Sequence, residues 1–166
     1  MIGYKQKYYK LIDKIKFLII EFYKEKLISI VLFGSVGRNK FHNESDIDIL
    51  IIVENAPKER SGRFYEYYYN VEKQIENDIQ KMIKEGIYVN ISPIIKSKEE
   101  VLYGSPLFIE MADECKILFD KDNFFHNVLS KLKDKLEKYK SVKVSYKGRY
   151  YWKLKPDYKW GDIINL

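Results

Sequence analysis

Two aspartates separated by one residue, Asp46 and Asp48, are the side chains in this sequence whose spacing points most directly to chemistry. The apolar residues around them predict a β-strand, in which alternate side chains share a face, so both carboxylates point the same way. Leu50 and Ile52 continue that face as apolar residues, which indicates a strand buried on both sides. A divalent cation would keep two such close carboxylates ionised. We therefore predict a metal site at Asp46 and Asp48, with Mg²⁺ as the metal.

A glycine, a serine and an arginine precede the aspartates and predict a site for phosphate. Gly34 follows the apolar run 28–33 and lets the backbone approach a ligand closely. Ser35 adds a hydroxyl and an N–H group at the start of a short helical turn, a position that favours anions. Arg38 lies one turn further on and can reach the same anion with its guanidinium group. Together with the metal, these residues predict the binding of a triphosphate.

The arrangement of these residues resembles the signature of a known family. Gly34-Ser35, ten intervening residues and then Asp46-Ile47-Asp48-Ile49 resemble the motif of the DNA polymerase β-like nucleotidyltransferase superfamily. Within it, the chain resembles the minimal, antitoxin-type nucleotidyltransferases of prokaryotes. The resemblance implies that the Gly-Ser pair holds the triphosphate and that the aspartates hold Mg²⁺. Arg38 matches a basic residue of the family's loop, although Asn39 follows it where a glycine is usual, and asparagine tolerates a left-handed backbone.

The resemblance also implies a reaction and a partner. The reaction is transfer of a nucleoside monophosphate from an NTP, with ATP the first candidate, to a hydroxyl acceptor. The acceptor implied by the family is often a tyrosine of a partner toxin of the HEPN type, which gives the chain an antitoxin role. The sequence itself shows no acceptor.

One feature of the family's site is missing from the sequence. The resemblance implies a third carboxylate on a neighbouring strand, but residues 88–92 contain no acid, and Asn90 takes the expected position. A carboxamide can bind Mg²⁺ but cannot act as a base. Glu110 or Asp113 could substitute for the missing acid. The alternative is a degenerate member that binds a nucleotide or a protein partner without transferring anything.

The hydrophobic periodicity predicts the elements that must position these residues. An amphipathic helix over 4–26 precedes the strand 28–33, and a second strand follows Asp48. We predict further a helix over 62–84, a strand over 87–95 that Pro93 interrupts or places at an edge, and a helix from Asp122 to about residue 139. The predicted class is α/β (α+β), a small mixed sheet with helices packed on one side.

The net charge of +6 on 166 residues is unevenly distributed. Residues 121–166 hold 12 Lys and Arg against 5 Asp and Glu. We therefore divide the chain into a nucleotidyltransferase domain, 1–120, and a basic, aromatic extension, 121–166, ending in a hairpin that turns at Lys147-Gly148. The extension is either a lysine-rich solvated surface with an aromatic cluster or an RNA-binding module in which aromatic rings stack on bases.

The remaining composition suggests a cytoplasmic protein. Cys115 is the only cysteine, so no internal disulfide can form. No apolar run approaches the length of a membrane span, so we expect no membrane partner.

Overall fold

A four-stranded mixed sheet forms the centre of the computed structural model, which describes residues 3–147 and 149–164. The strands are β1 (Leu27–Phe33), β2 (Ile47–Val53), β3 (Ile91–Ser97) and β4 (Lys116–Asp120), in the order β3-β2-β1-β4. β1 pairs antiparallel with β2 and with β4, whereas β2 and β3 are parallel. The predicted mixed α/β sheet is confirmed. Pro93 lies in the edge strand β3, where a missing N–H group is tolerated.

Seven α-helices and a separate hairpin surround this sheet in the described part of the chain. The helices are α1 (Tyr4–Tyr23), α2 (Gly34–Gly37), α3 (Arg60–Tyr67), α4 (Lys73–Lys84), α5 (Lys98–Leu102), α6 (Pro106–Asp113) and α7 (Phe124–Lys138). A π-helical turn, Tyr68–Glu72, joins α3 to α4, so the predicted helix over 62–84 is interrupted. The hairpin consists of β5 (Val142–Tyr146) and β6 (Arg149–Lys153), as predicted. Lys147 has a positive φ, and Gly148, the other predicted turn residue, lies outside the described residues.

The helices cover both faces of the sheet, so the expectation that they lie on one side was wrong. Side chains of α1 and α4 pack on the face that carries Ile30 and Ile49. Side chains of α5, α6 and α7 pack on the opposite face, which carries Val31 and Leu50. The physical reason is that β1 and β2 are apolar at nearly every position, and an apolar face left uncovered would be exposed to water. We call these the first face and the second face.

The start of β3 differs from the prediction. β3 begins at Ile91 rather than residue 87, because Tyr88 donates its N–H group to Asn43 in the loop before β2. α7 contributes Phe125 and Leu129 to the core of the second face. The boundary between residues 120 and 121 stays a prediction. Among the described residues, no helix combines the length and the apolar character that crossing a bilayer requires.

Candidate active site

The two halves of the sequence motif touch each other in the structure. β1 and β2 pair so that Phe33 lies opposite Asp48, which places the next residue, Gly34, against the Asp48 side chain. A Cβ atom built on Gly34 would lie 2.0 Å from Oδ2 of Asp48. Gly34 also has a φ of +62°, which other residues adopt at a cost. Only glycine fits this position without displacing the carboxylate.

Asp46 and Asp48 lie at the start of β2 and differ in environment. Asp46 is exposed and Asp48 is half-buried. Burial raises the pKa of Asp48, the charge of Asp46 raises it further, and the charge of Arg38 opposes the change. Two carboxylates whose mutual repulsion is only partly offset suit a divalent cation, and Mg²⁺ binds through one or two carboxylates together with substrate phosphates. The donors present therefore fit Mg²⁺.

The phosphate-binding residues predicted from the sequence lie on α2 and in the loop after it. α2 begins at Gly34, so Ser35 lies in a short helical turn as predicted. The backbone N–H groups of Arg38 and Lys40 donate to the carbonyls of Gly34 and Ser35, at 3.2 and 2.9 Å. Asn39 has a φ of +57°, a left-handed backbone that asparagine tolerates. The turn thus folds back over Gly34 and keeps Arg38 beside Asp48.

The third position of the site contains no acid. Ser92 of β3 lies opposite Asp48, and the N–H group of Ile47 donates to the carbonyl of Asn90 at 2.8 Å, so β3 enters the sheet beside the aspartates. Within residues 3–147 and 149–164, no group of three or more His, Cys, Asp and Glu side chains could hold a metal ion. Asp113 instead forms an ion pair with Lys143. The structure therefore does not bring Glu110 or Asp113 to the pair as a third carboxylate.

A comparison with protein families assigns the fold and the motif to a known group. The model of a nucleotidyltransferase domain matches residues 12–119, which include the second half of α1, strands β1 to β3, all but the last residue of β4 and the residues of the candidate site. The chain belongs to the nucleotidyltransferase domain family. The match confirms the resemblance to the nucleotidyltransferases and the prediction that the chain is one of them.

This nucleotidyltransferase is also similar to individual proteins. A candidate protein adenylyltransferase of Methanocaldococcus jannaschii is 32% identical over 123 residues, which are 71% of this chain and 76% of that protein. Among solved structures, a spectinomycin adenyltransferase from Enterococcus faecialis with ATP and spectinomycin has 17% identity and a TM-score of 0.46, covering 79% of this chain and 66% of that one. A toxin-antitoxin structure with AMP-PNP has 18% identity and a TM-score of 0.39, covering 82% and 92%.

Two acidic residues at the end of α6 form ion pairs near the site that the sequence did not reveal. Glu114, just after α6, lies 3.8 Å from Nε of Arg38 and 3.5 Å from Nζ of Lys40. Its neighbour Asp113 accepts a hydrogen bond from Nζ of Lys143 on β5, and this bond raises the pKa of the lysine. Because Glu114 directly follows Asp113, these ion pairs bring the hairpin near Arg38. No sequence signal connects residues 38, 114 and 143.

Three tyrosines of α1 hold the loop between α2 and β2. Tyr4 donates to the carbonyl of Phe41 at 3.1 Å, Tyr8 to the carbonyl of Ser45 at 2.7 Å, and Tyr9 to Oδ1 of Asn39 at 2.8 Å. The ring of Phe41 is buried among the three tyrosine rings. Burial raises the pKa of Tyr8 to about 12, so its hydroxyl remains a donor at neutral pH. All three tyrosines fall in the first two turns of α1.

Proposed function

We propose that this nucleotidyltransferase transfers an adenylyl group from ATP to a hydroxyl acceptor, with Mg²⁺ held by Asp46 and Asp48. The observation that carries the proposal is the contact between Gly34 and the Asp48 carboxylate. A phosphate can approach Gly34, and the carboxylates can hold a metal. The contact places these two parts of the site directly beside each other. The close relative described as a candidate protein adenylyltransferase supports ATP as the nucleotide.

Each residue of the site has a distinct part in this proposal. Gly34 and Ser35 receive the triphosphate, because the backbone there is accessible and supplies N–H groups. Arg38 binds a phosphate oxygen with its guanidinium group. When bound, Mg²⁺ neutralises the charge of the phosphates and polarises the α-phosphorus. The acceptor oxygen forms a bond to that phosphorus, the bond to the β-phosphate oxygen breaks, and pyrophosphate leaves.

The acceptor in this proposal is a hydroxyl group of a partner protein. The name of the relative from Methanocaldococcus jannaschii refers to the modification of a protein. The family resemblance adds a HEPN-type toxin as the partner to test first. Because Asn90 replaces the third carboxylate, the acceptor's proton has no acidic side chain to receive it at that position, so the partner or water must take it.

A labelling experiment tests the proposal. The protein is incubated with Mg²⁺ and α-labelled ATP, CTP, GTP or UTP, with and without a purified HEPN-type protein. We expect label from ATP on the acceptor, and a loss of about 10²-fold or more in the Asp46→Asn, Asp48→Asn variant. Glu44→Gln is the matched control, because Glu44 is an exposed acid of the same loop. Transfer that persists in the double variant, or that survives EDTA, would refute the role of the aspartates.

A calorimetric binding measurement, made beside the labelling experiment, separates nucleotide transfer from nucleotide binding alone. If no acceptor is labelled while calorimetry shows Mg²⁺-dependent ATP binding that requires Asp46 and Asp48, the chain is the degenerate member that the missing third acid allows. If ATP does not bind at all, the proposed pocket is wrong.

A second candidate function, RNA binding, rests on the exposed rings of the C-terminal region. Tyr146, Tyr150, Tyr158 and Trp160 are all exposed, and Trp160 is 99% exposed. Exposed rings among lysines can stack on bases while the lysines contact phosphates. We expect a fluorescent single-stranded RNA to bind less tightly as salt increases, and Tyr150→Ala, Trp160→Ala to weaken binding by tenfold or more. Tyr65→Ala, at an exposed tyrosine of α3, is the control. Equal binding by both variants would exclude this role.

A further inference from the structure

A groove on the second face, remote from the candidate active site, has no part in the proposed transfer. It has a volume of about 890 Å³ and lies between α7 on one side and the segment 98–109 on the other. Apolar side chains form much of its lining: Ile28, Val101, Phe108, Phe124, Val128 and Leu132.

α7 has a second apolar stripe that faces this groove. Phe125, Leu129 and Leu136 are buried in the core, whereas Phe124, Val128 and Leu132 are only half-buried and line the groove. The second stripe repeats every four residues, so it follows one side of the helix. On the opposite wall, Leu102 is 66% exposed and Tyr103 is 89% exposed. Both walls therefore offer apolar surface that the fold itself leaves uncovered.

The length of the groove matches a short helix. Its α7 wall extends from Phe124 to Lys135, and at a rise of about 1.5 Å per residue this wall is about 17 Å long, or three helical turns. Both walls are helical or turn segments, without a free strand edge among the lining residues. A helix lying along such a groove makes contacts at every third or fourth residue.

The rim of the groove is basic. Four lysines and two acidic residues are part of the lining. Lys98 already pairs with Glu54 at 3.1 Å. Lys131 and Lys135 lie one turn apart along α7, and within residues 3–147 and 149–164 neither forms an ion pair. Two free positive charges spaced along a wall match negative charges spaced along a helix, rather than the single head group of a fatty acid.

We propose that this groove binds an amphipathic helix of a partner protein, whose apolar side enters the groove and whose acidic side chains meet Lys131 and Lys135. The proposal does not depend on the proposed transfer reaction, because the groove shares no residue with the candidate site.

The test uses three synthetic 12-residue peptides and the full-length protein labelled with ¹⁵N. One peptide is an amphipathic helix with Leu at i, i+3, i+4 and i+7 and glutamates beside them. The second has lysines in place of the glutamates, and the third has the first composition in scrambled order. We expect the glutamate helix to shift amide signals of residues 101–105 and 124–135, and to bind at least tenfold more tightly than either of the others.

Charge reversal on the groove sharpens the test. The Lys131→Glu, Lys135→Glu variant is expected to prefer the lysine helix, because its rim is then acidic. Lys133→Glu, Lys138→Glu is the matched control, since both residues are exposed on α7 and neither lines the groove. This control is expected to keep the wild-type preference.

Three results would overturn the proposal. The first is that the three peptides bind equally or shift signals elsewhere. The second is that decanoate occupies the groove more tightly than the glutamate helix does. The third is that sedimentation shows a dimer of this chain whose interface is the groove, which would make a second copy the occupant.

Discussion

The two ends of the second face are built in opposite ways, although the same strands and the same helix connect them. At one end, Asp48 lies against Gly34 with no room for a methyl group. At the other end, about 20 Å away by the rise of β2 from Asp48 to Glu54, the sheet ends at an open groove with half-exposed apolar walls. α6 runs between them, from Ser105 at the groove to Asp113 at the site. Close packing fixes the chemical end, whereas the groove end keeps surface available for a partner.

The largest effect is expected when one methyl group is added at the end of the second face that holds the candidate site. Gly34→Ala would place a Cβ atom 2.0 Å from Oδ2 of Asp48 at a residue whose φ is +62°. The carboxylate must move, and we expect nucleotide transfer to fall on the order of 10²-fold or more, since a displacement of about 1 Å can have that effect. The measurement is the initial rate of label transfer.

Gly86→Ala separates the steric effect from backbone strain. Gly86 has a φ of +75° but nothing within 4 Å of a built Cβ, so it carries the strain without the contact. We expect both variants to lose about 1–2 kcal/mol of unfolding free energy and only Gly34→Ala to lose activity. Equal loss of activity in both variants would mean that the close fit at Gly34 is unimportant.

The tyrosines of α1 allow a test of how firmly the site end is held. Tyr8→Phe removes the hydrogen bond to the buried carbonyl of Ser45, at 2.7 Å, just before Asp46. A buried carbonyl left without its partner costs about 1–3 kcal/mol, so we expect that loss in urea denaturation together with weaker ATP binding. Tyr9→Phe is the control. Its hydrogen bond to Asn39 is exposed, so its loss should cost at most about 1 kcal/mol of unfolding free energy. Identical effects would show that burial does not distinguish them.

The candidate site residues that the sequence groups together are close along the chain. Gly34, Ser35, Arg38 and the two aspartates fall within fifteen residues, in a stretch that runs from the end of β1 to the start of β2, two strands whose apolar patterns are clear. The positive φ of Asn39 agrees with the tolerance of asparagine for a left-handed backbone. These features depend on local backbone preferences, which sequence patterns report well.

The features that the sequence did not predict depend on contacts between distant residues. Glu114 reaches Arg38 only because α6 crosses the second face. Arg63 is 6% exposed, against the usual tendency of arginine, because Glu100 and the carbonyl of Ile95 meet its guanidinium group. The placement of all helices on one side was wrong although the strands argued against it. Because β1 and β2 are apolar on both faces, both faces had to be packed against helices.

The ion pairs of Glu114 compete with the triphosphate for Arg38 and Lys40. Glu114→Gln frees Arg38 and Lys40 from their ion pairs, and both can then bind the triphosphate. Since exposed pairs contribute about 0.2–1 kcal/mol each, we expect the Kd for Mg²⁺ and a non-hydrolysable ATP analogue to fall about twofold to fivefold at low salt. Calorimetry measures this change, and it should shrink as the salt concentration rises. Asp78→Asn, which breaks the distant pair with Lys14, should leave the Kd unchanged.

The smallest expected effect lies at the groove end. Leu102 is 66% exposed, so Leu102→Gln removes little buried surface and should change the unfolding free energy by less than about 0.5 kcal/mol. Its neighbour Val101 is 1% exposed, and Val101→Ala should cost about 2 kcal/mol, because two buried methyl groups are lost. Urea denaturation of both variants makes the measurement. A Leu102→Gln variant as unstable as Val101→Ala would show that the rim is part of the core, and the groove would then not be a surface that the fold leaves free.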